Sequence, residues 1–221
     1  MKIRTLFSLA CVLFFSVATA SDKKPNILLL FADDWGRYAS LFAEVEGPGS
    51  INDVVRTPNF DRIAKEGVLF RNAHVSAPSC TPCRSALLTG QHFWRTNTGA
   101  ILRGAVWDAS LPSFPVLLRE SGYDIGYSHK VWGPGTPANS PYTASESFSK
   151  SGGRFNQFSQ NVTASVEAGM TIDVAKAVLL DESRANFRSF LGARGEGKPF
   201  SYWFGPTNTH RKWIKGSGKK L

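Results

Sequence analysis

The chain has 221 residues, 42% of them hydrophobic and 19% charged, with 20 Gly and 12 Pro. This composition is typical of a globular protein that buries a core, and it excludes a disordered or fibrous chain. The formal net charge is +9, an excess that attracts anionic partners.

The first twenty residues have the three-part layout of a cleavable export signal. Lys2 and Arg4 precede an apolar run at 6–17, and small residues follow at 18–20. We therefore expect a mature chain that begins at Ser21 and lies in the periplasm or outside the cell. Loss of the signal removes two positive charges from the +9 total and leaves +7.

A membrane anchor and a lipid anchor also begin with an apolar run of this kind. The run is shorter than the ~20 residues that span a bilayer, and no second long apolar segment follows, so a membrane anchor is disfavoured. A lipid anchor at Cys11 is disfavoured because Ser8 stands where lipoprotein signals usually have Leu. We therefore expect a protein without a membrane span.

The basic excess indicates a class of partner. Nucleic acid is one polyanion, but an exported protein more often meets sulfated or acidic glycans, so we expect no nucleic-acid partner. A solvated loop would also account for much of the charge, because five basic residues lie in the stretch 211–220.

Strands and helices are predicted to alternate along the mature chain. In chain order we expect a strand at 25–31, a helix at 58–66, a strand at 68–75, a helix at 82–89, a helix at 114–120, a strand at 124–127, a helical region at 166–191 with a break near 181–183, and a strand at 200–204. This alternation predicts an α/β fold in which helices sandwich a mainly parallel sheet. The first strand is almost wholly apolar, which is typical of a strand buried on both faces. The segment 133–160, rich in Gly, Ser, Pro and Asn, is expected to be a surface excursion beside a binding site.

Polar residues follow three of the predicted strands. Asp33 and Asp34 come after the first, His129 and Lys130 after a later one, and His210 after the last. Ligands of open α/β sheets bind outside the carboxyl ends of the strands. These residues are therefore candidates for one functional site.

Two cysteines, Cys80 and Cys83, remain in the mature chain, too few for a disulfide-built scaffold. They form a C-x-x-C pair near a predicted helix start, an arrangement that also suits thiol redox proteins. Redox chemistry does not require Arg84 or the Leu-Thr-Gly segment that ends at Gly90, so we consider this function a minor alternative.

The segment CTPCRSALLTG, from Cys80 to Gly90, resembles the signature of formylglycine-dependent sulfatases, in which CxPxR directs oxidation of the cysteine. Further segments that resemble the family occur in the expected order: NILLLFADDWG, TPNFDRIAKEGVLFRNAHV, SGYDIGYSHK and FGPTNTHRKW. The chain looks closest to bacterial sulfatases of the sulfoglucosamine, heparan or polysaccharide type. The resemblance implies an alkaline-phosphatase-like core, a formylglycine-generating enzyme as partner, and a sulfated glycosaminoglycan or polysaccharide as substrate.

The resemblance also implies a nucleophile and a metal site. Formylglycine made from Cys80 carries two hydroxyls when hydrated: one attacks sulfur, and deprotonation of the other expels sulfate. Asp33, Asp34 and converted Cys80 would hold Ca²⁺ or Mg²⁺, since these cations prefer oxygen ligands. Without the signature, a helix cap or a turn would be the favoured explanation of the Asp pair, and the signature reverses this preference.

The resemblance to the sulfatase family also implies catalytic roles for three individual residues. Arg84 would hold the formylglycine oxygen, Lys130 would contact sulfate, and His210 would contact sulfate or protonate the leaving oxygen. The alternatives are a surface arginine and a capping or core histidine. Many members have Gly-Lys-Trp-His where this chain has His129 to Trp132, so a substrate-binding role for His129 is only weakly indicated.

The predicted organisation is a signal at 1–20 followed by the N-terminal part of a sulfatase catalytic domain at 21–221. Further metal ligands of the family come from a segment that this chain lacks, so we expect a core truncated at the C-terminus that by itself is inactive. Two alternatives stay open: a phosphatase or phosphonate hydrolase of the same fold, and an inactive glycan-binding fragment.

Overall fold

The computed structural model describes residues 23–137, 140, 142, 153–210 and 212–217. The predicted signal at 1–20 and much of the predicted excursion at 133–160 lie outside these ranges. The described strands are β1 (Ile27–Leu30), β2 (Asp124–His129) and β3 (Phe200–Gly205), and the described α-helices are α1 (Ser40–Glu46), α2 (Pro58–Glu66), α3 (Cys80–Thr89), α4 (Phe114–Glu120), α5 (Phe158–Glu167) and α6 (Ile172–Ala193). In these ranges no helix is both long and apolar enough to cross a membrane.

The three strands form a parallel sheet in the order β1-β3-β2. Trp203 in the central strand lies opposite Leu29 on one side and Tyr127 on the other. Long connections that contain helices join the strands, as parallel pairing requires. The predicted α/β class with a parallel sheet is confirmed.

Side chains of β3 alternate between the two faces of the sheet, and helices cover both faces. Trp203 packs with Leu88 of α3 and Ile125 of β2 in one buried cluster. On the other face Tyr202 packs with Phe190 of α6. The sheet is therefore sandwiched between helices, as the sequence predicts.

The first strand is less buried than its apolar sequence suggests. Leu28 and Leu30 are 51% and 55% exposed, whereas Ile27 and Leu29 pack against the core. The prediction of burial on both faces was wrong, because β1 is an edge strand and α6 packs over β2 and β3 on that face.

Two other predicted elements differ from the structure. The segment 68–75 contains no strand, and Val68 and Phe70 are about three-quarters exposed, at 76% and 75%. None of the three described strands pairs with this segment. The predicted break at 181–183 is absent because α6 continues through it, and Asp181 pairs within the helix with Arg184. The break lies instead at 168–171, where Gly169 adopts a φ of +95° and its N–H caps α5.

A buried polar network joins α6 to the sheet. Asn186 is 3% exposed, and its Nδ2 donates to Tyr202 Oη at 3.0 Å and also to Ser128 Oγ. Ser128 Oγ and Tyr202 Oη are hydrogen-bonded to each other as well. The network therefore links β2, β3 and α6 beneath the strand ends that carry the polar residues.

Replacement of Asn186 by alanine is expected to lower the free energy of unfolding by about 1–3 kcal/mol, because Ser128 and Tyr202 lose a buried partner. Urea denaturation measures the change. The control is Ser189→Ala, an exposed position on the same helix, which should stay within about 0.5 kcal/mol of the parent. Equal losses in the two variants would show that the network contributes nothing beyond the helix itself.

Candidate active site

Asp33 lies three residues after the end of β1, at the carboxyl end of the sheet, and is 6% exposed. Its backbone N–H donates to the carbonyl of Pro206 at 2.9 Å, and its own carbonyl accepts from Thr209 Oγ1 at 2.5 Å. The loop after β3 therefore fixes the position of Asp33. The sequence analysis did not predict that Thr209 would hold Asp33 in place. The only feature of the sequence that could have indicated this role is the position of Thr209 after the last strand.

The carboxylate of Asp33 is paired with two cations. Arg84 Nη2 donates to its Oδ1 at 3.1 Å, and Lys130 Nζ donates to its Oδ2 at 2.7 Å. Burial acts to raise the pKa of Asp33, but the hydrogen bonds and charges of Lys130 and Arg84 outweigh it and hold that pKa below its usual value. Asp33 is therefore a charged acceptor at the centre of the site.

Arg84 is a buried structural cation, with a side chain that is 1% exposed. Its Nη1 donates to the carbonyls of Lys130 and Val131 at 2.8 and 3.1 Å, and its guanidinium lies 5.1 Å from the ring centre of Phe31. The alternative of a surface arginine is therefore wrong. Arg84 joins α3, the end of β1 and the loop after β2.

Cys80 is the first residue of α3, whereas the sequence indicated a position just ahead of the helix. Its Sγ lies 3.9 Å from Asp33 Oδ1, and its side chain is half-buried. Cys83, one turn later, is also free and half-buried, and burial raises the pKa of its thiol. The structure thus places Cys80 and Arg84 beside the same Asp33 oxygen, Oδ1.

Lys130 reaches Asp33 because the chain turns sharply after β2. His129 adopts a φ of +67°, and the N–H of Lys130 donates to the carbonyl of Gly205 at 2.9 Å. A Cβ on Gly205 would lie 2.0 Å from the carbonyl oxygen of Lys130. Only glycine permits this close approach, and sequence reasoning did not identify its role.

The structure places His129 away from the Asp33 cluster. Its ring stacks on Phe155 and meets Phe204 edge-on, and burial lowers its pKa to about 4. Within the described ranges no hydrogen bond or ion pair joins it to Asp33, Cys80 or Arg84. Trp132, which stands where many sulfatases have a second histidine, donates instead to Ser85 Oγ at 2.8 Å.

His210 lies beside the aspartate pair, with its Nε2 3.5 Å from Asp34 Oδ2. It is half-buried, while Asp34 is exposed and adopts a φ of +56°. Ligand atoms of Asp33, Cys80 and His210 all lie within 4.8 Å of one another. The three polar strand ends therefore converge, as the parallel sheet predicts.

The donor set at this point suits a divalent cation. The carboxylate oxygens of Asp33 and Asp34 are the ligands that Ca²⁺ and Mg²⁺ prefer. Sulfur at Cys80 is a softer donor, and an oxygen at that position after conversion would match the carboxylates. Asp33 and the position of Cys80 therefore fit the predicted metal, with His210 as a third neighbouring donor and Asp34 beside His210.

A cavity of about 770 Å³ opens onto the cluster. Its polar lining includes Asp33, Asp34, Cys80, Cys83 and Arg84. Its aromatic walls are formed by Trp35, Tyr38 and Trp213. His129 and Lys130 line a separate, smaller cavity of about 130 Å³. Lys130 therefore contacts Asp33 without being among the residues that line the larger cavity.

Most of the chain matches one protein family. The family model described as "Sulfatase" covers residues 25–215, which include the Asp33 cluster and the α3 helix. The chain belongs to the sulfatase family. The resemblance carried by the Cys80 segment and by the strand ends is thereby confirmed.

Individual sulfatases match parts of the chain. Arylsulfatase D of Homo sapiens is 39% identical over 117 residues, which cover 49% of this chain and 18% of that protein. The N-acetylgalactosamine-6-O-sulfatase of Bacteroides thetaiotaomicron is 35% identical over 109 residues, 48% of this chain and 20% of that protein. The ulvan-active sulfatase of Formosa agariphila is 35% identical over 144 residues, 60% of this chain and 26% of that protein. The chain thus spans about a fifth to a quarter of the length of these relatives.

A solved structure shares the fold. The phosphonate monoester hydrolase of Agrobacterium radiobacter superposes with a TM-score of 0.53 and 19% identity, covering 85% of this chain and 42% of that one. This likeness, together with the sulfatase match, confirms the predicted alkaline-phosphatase-like core.

Proposed function

We propose that this sulfatase-family chain is part of an enzyme that removes sulfate from a sulfated carbohydrate by means of a formylglycine made from Cys80. The observation that carries the proposal is the position of Cys80. It begins α3 in the wall of the large cavity, with its Sγ 3.9 Å from the buried carboxylate of Asp33. The names of two bacterial relatives, one active on an N-acetylgalactosamine sulfate and one on ulvan, support the carbohydrate substrate.

The charges around Cys80 suit an anionic substrate. A sulfate ester repels nucleophiles, so its cleavage requires neighbouring cations and a nucleophile stronger than water. Arg84 and Lys130 already pair with Asp33, and His210 lies beside Asp34. We assign Lys130 and His210 to the sulfate and Arg84 to the orientation of converted Cys80.

A divalent cation, Ca²⁺ or Mg²⁺, would be held by Asp33, Asp34 and converted Cys80. When bound, it would supply positive charge that polarises the sulfate oxygens. We assign to His210 the transfer of a proton to the leaving sugar oxygen, since its side chain is 36% exposed and its Nε2 lies 3.5 Å from Asp34 Oδ2.

The remaining predictions about the protein stay proposals. Residues 21–221 form the N-terminal part of a catalytic domain, consistent with the small share of each relative that the chain covers. The chain is exported, and a formylglycine-generating enzyme acts on it. The thiol redox and glycan-binding alternatives lose support because the family match extends from residue 25 to 215.

A phosphonate or phosphate monoester is the second candidate substrate, because the solved phosphonate monoester hydrolase has the same fold. Tetrahedral anions of sulfur and phosphorus differ mainly in charge. The relatives that share 35–39% identity are named as sulfatases, and this favours the sulfate ester.

A comparison of substrates tests the proposal. The enzyme is the full-length protein that contains this chain, produced together with a formylglycine-generating enzyme. We expect release of sulfate from N-acetylgalactosamine 6-sulfate or ulvan oligosaccharides. Cys80→Ala should reduce this release to background, because no nucleophile remains. The matched control Cys11→Ala changes a cysteine in the predicted signal and should retain full activity once the chain is exported. Faster turnover of a phosphonate monoester than of every sulfate ester would contradict the assignment.

A further inference from the structure

A second thiol lies next to the proposed nucleophile and has no part in the proposed reaction. Cys83 follows Cys80 by three residues on α3, and both thiols are free and half-buried. Both also line the cavity of about 770 Å³, so small molecules that reach one can reach the other. Residues 21–221 contain no further cysteine.

The spacing of the two cysteines permits a disulfide. Side chains three residues apart on a helix have Cβ atoms about 5–6 Å apart. A disulfide requires a Cβ separation of about 3.5–4.5 Å, so the first turn of α3 must tighten by roughly 1–2 Å. The first turn is the part of a helix with unpaired N–H groups, and Pro82 within it has no N–H to lose.

We propose that Cys83 is a resolving thiol that forms a reversible disulfide with Cys80 in the unconverted chain and thereby withholds Cys80 from oxidation to formylglycine. This inference rests on the proposed function, because it concerns the thiol that conversion consumes. The C-x-x-C arrangement at a helix start is one in which disulfides form and break readily. In this chain, reduction of the Cys80–Cys83 disulfide would have to precede conversion of Cys80 to formylglycine.

The oxidant is a low-molecular-weight disulfide such as glutathione disulfide. One cysteine thiolate attacks a sulfur of that disulfide, forms a mixed disulfide with the chain and releases one glutathione. The other cysteine thiolate then attacks the chain sulfur of the mixed disulfide and releases the second glutathione. The chain loses two protons and two electrons, and the glutathione disulfide is reduced to two thiols.

Thiol mapping after treatment with glutathione disulfide tests the first half of the proposal. The unconverted chain should lose two hydrogens and carry no glutathione, with Cys80 and Cys83 in one linked peptide. Cys83→Ser should instead carry one glutathione on Cys80, because the second attack cannot occur. Urea denaturation of both proteins shows whether the variant keeps its fold. Native chain that retains glutathione on either cysteine, or keeps both thiols, would overturn the proposal.

Conversion by a formylglycine-generating enzyme tests the second half. The disulfide form should be converted at least about tenfold more slowly than the reduced chain, since it offers no thiol at Cys80, and reduction should restore the rate. Reduced native chain and reduced Cys83→Ser should be converted alike. Equal conversion of the disulfide and reduced forms would overturn the role of Cys83 alone. Failure of both reduced proteins to be converted would instead contradict the proposed function.

Discussion

Replacement of Arg84 by methionine is expected to lower the free energy of unfolding by about 3–5 kcal/mol, the cost of breaking a buried ion pair by removing one partner. The side chains of Arg84 and Asp33 are 1% and 7% exposed, so water cannot replace the lost guanidinium. The carbonyls of Lys130 and Val131 lose their donor at the same time. Urea denaturation measures the loss.

The matched control for this substitution is Arg154→Met. Arg154 also pairs with a carboxylate, that of Glu182, but its side chain is 59% exposed. Exposed pairs contribute about 0–1 kcal/mol, so the control should scarcely change stability. Arg84→Lys keeps the positive charge but loses the forked guanidinium. Its loss of unfolding free energy should therefore lie between those of Arg84→Met and Arg154→Met. A loss for Arg84→Met no larger than that of the control would mean that Arg84 does not hold the site together.

Replacement of Gly205 by alanine is the second large effect that we expect. The added Cβ would lie 2.0 Å from the carbonyl oxygen of Lys130, a backbone atom that cannot move aside as a flexible side chain could. Overpacking of this kind costs about 1–3 kcal/mol or more. The loop that carries Lys130 to Asp33 must shift, so the loss should appear both in urea denaturation and in weakened pairing with Asp33.

The same substitution at Gly192 provides the control. Gly192 lies in α6, and a Cβ there meets no atom within 4 Å. Alanine is favoured over glycine in a helix by about 0.5–1 kcal/mol, so Gly192→Ala should raise stability slightly. We therefore expect the free energy of unfolding to fall for Gly205→Ala and to rise for Gly192→Ala. Similar small effects at both would show that the backbone at Lys130 is not closely packed against β3.

Local sequence patterns predicted the parts of the site that depend on strand ends. Parallel strands bring their carboxyl ends to one edge of the sheet, so Asp33, Lys130 and His210 were expected to meet, and they do. The helix at Cys80 was also predictable, because Pro82 lies in its first turn and Gly90 directly follows its last residue.

Tertiary packing decided what the patterns could not predict. Apolar residues at 68–75 have the composition of a strand, but none of the strands that the structure describes pairs with them. The exposure of Leu28 depends on the edge position of β1, which a local pattern does not contain. The roles of Thr209 and Gly205 arise from contacts between distant segments, with Asp33 and Lys130 respectively.

Mass spectrometry of the peptide that contains Cys80 tests the formylglycine mechanism most directly. The chain and its Cys83→Ser variant are produced beside a formylglycine-generating enzyme, with a known sulfatase in the same cells as control. We expect an aldehyde or its hydrate in place of the Cys80 thiol in both proteins. An unmodified Cys80 in both, with the control sulfatase converted, would contradict the mechanism.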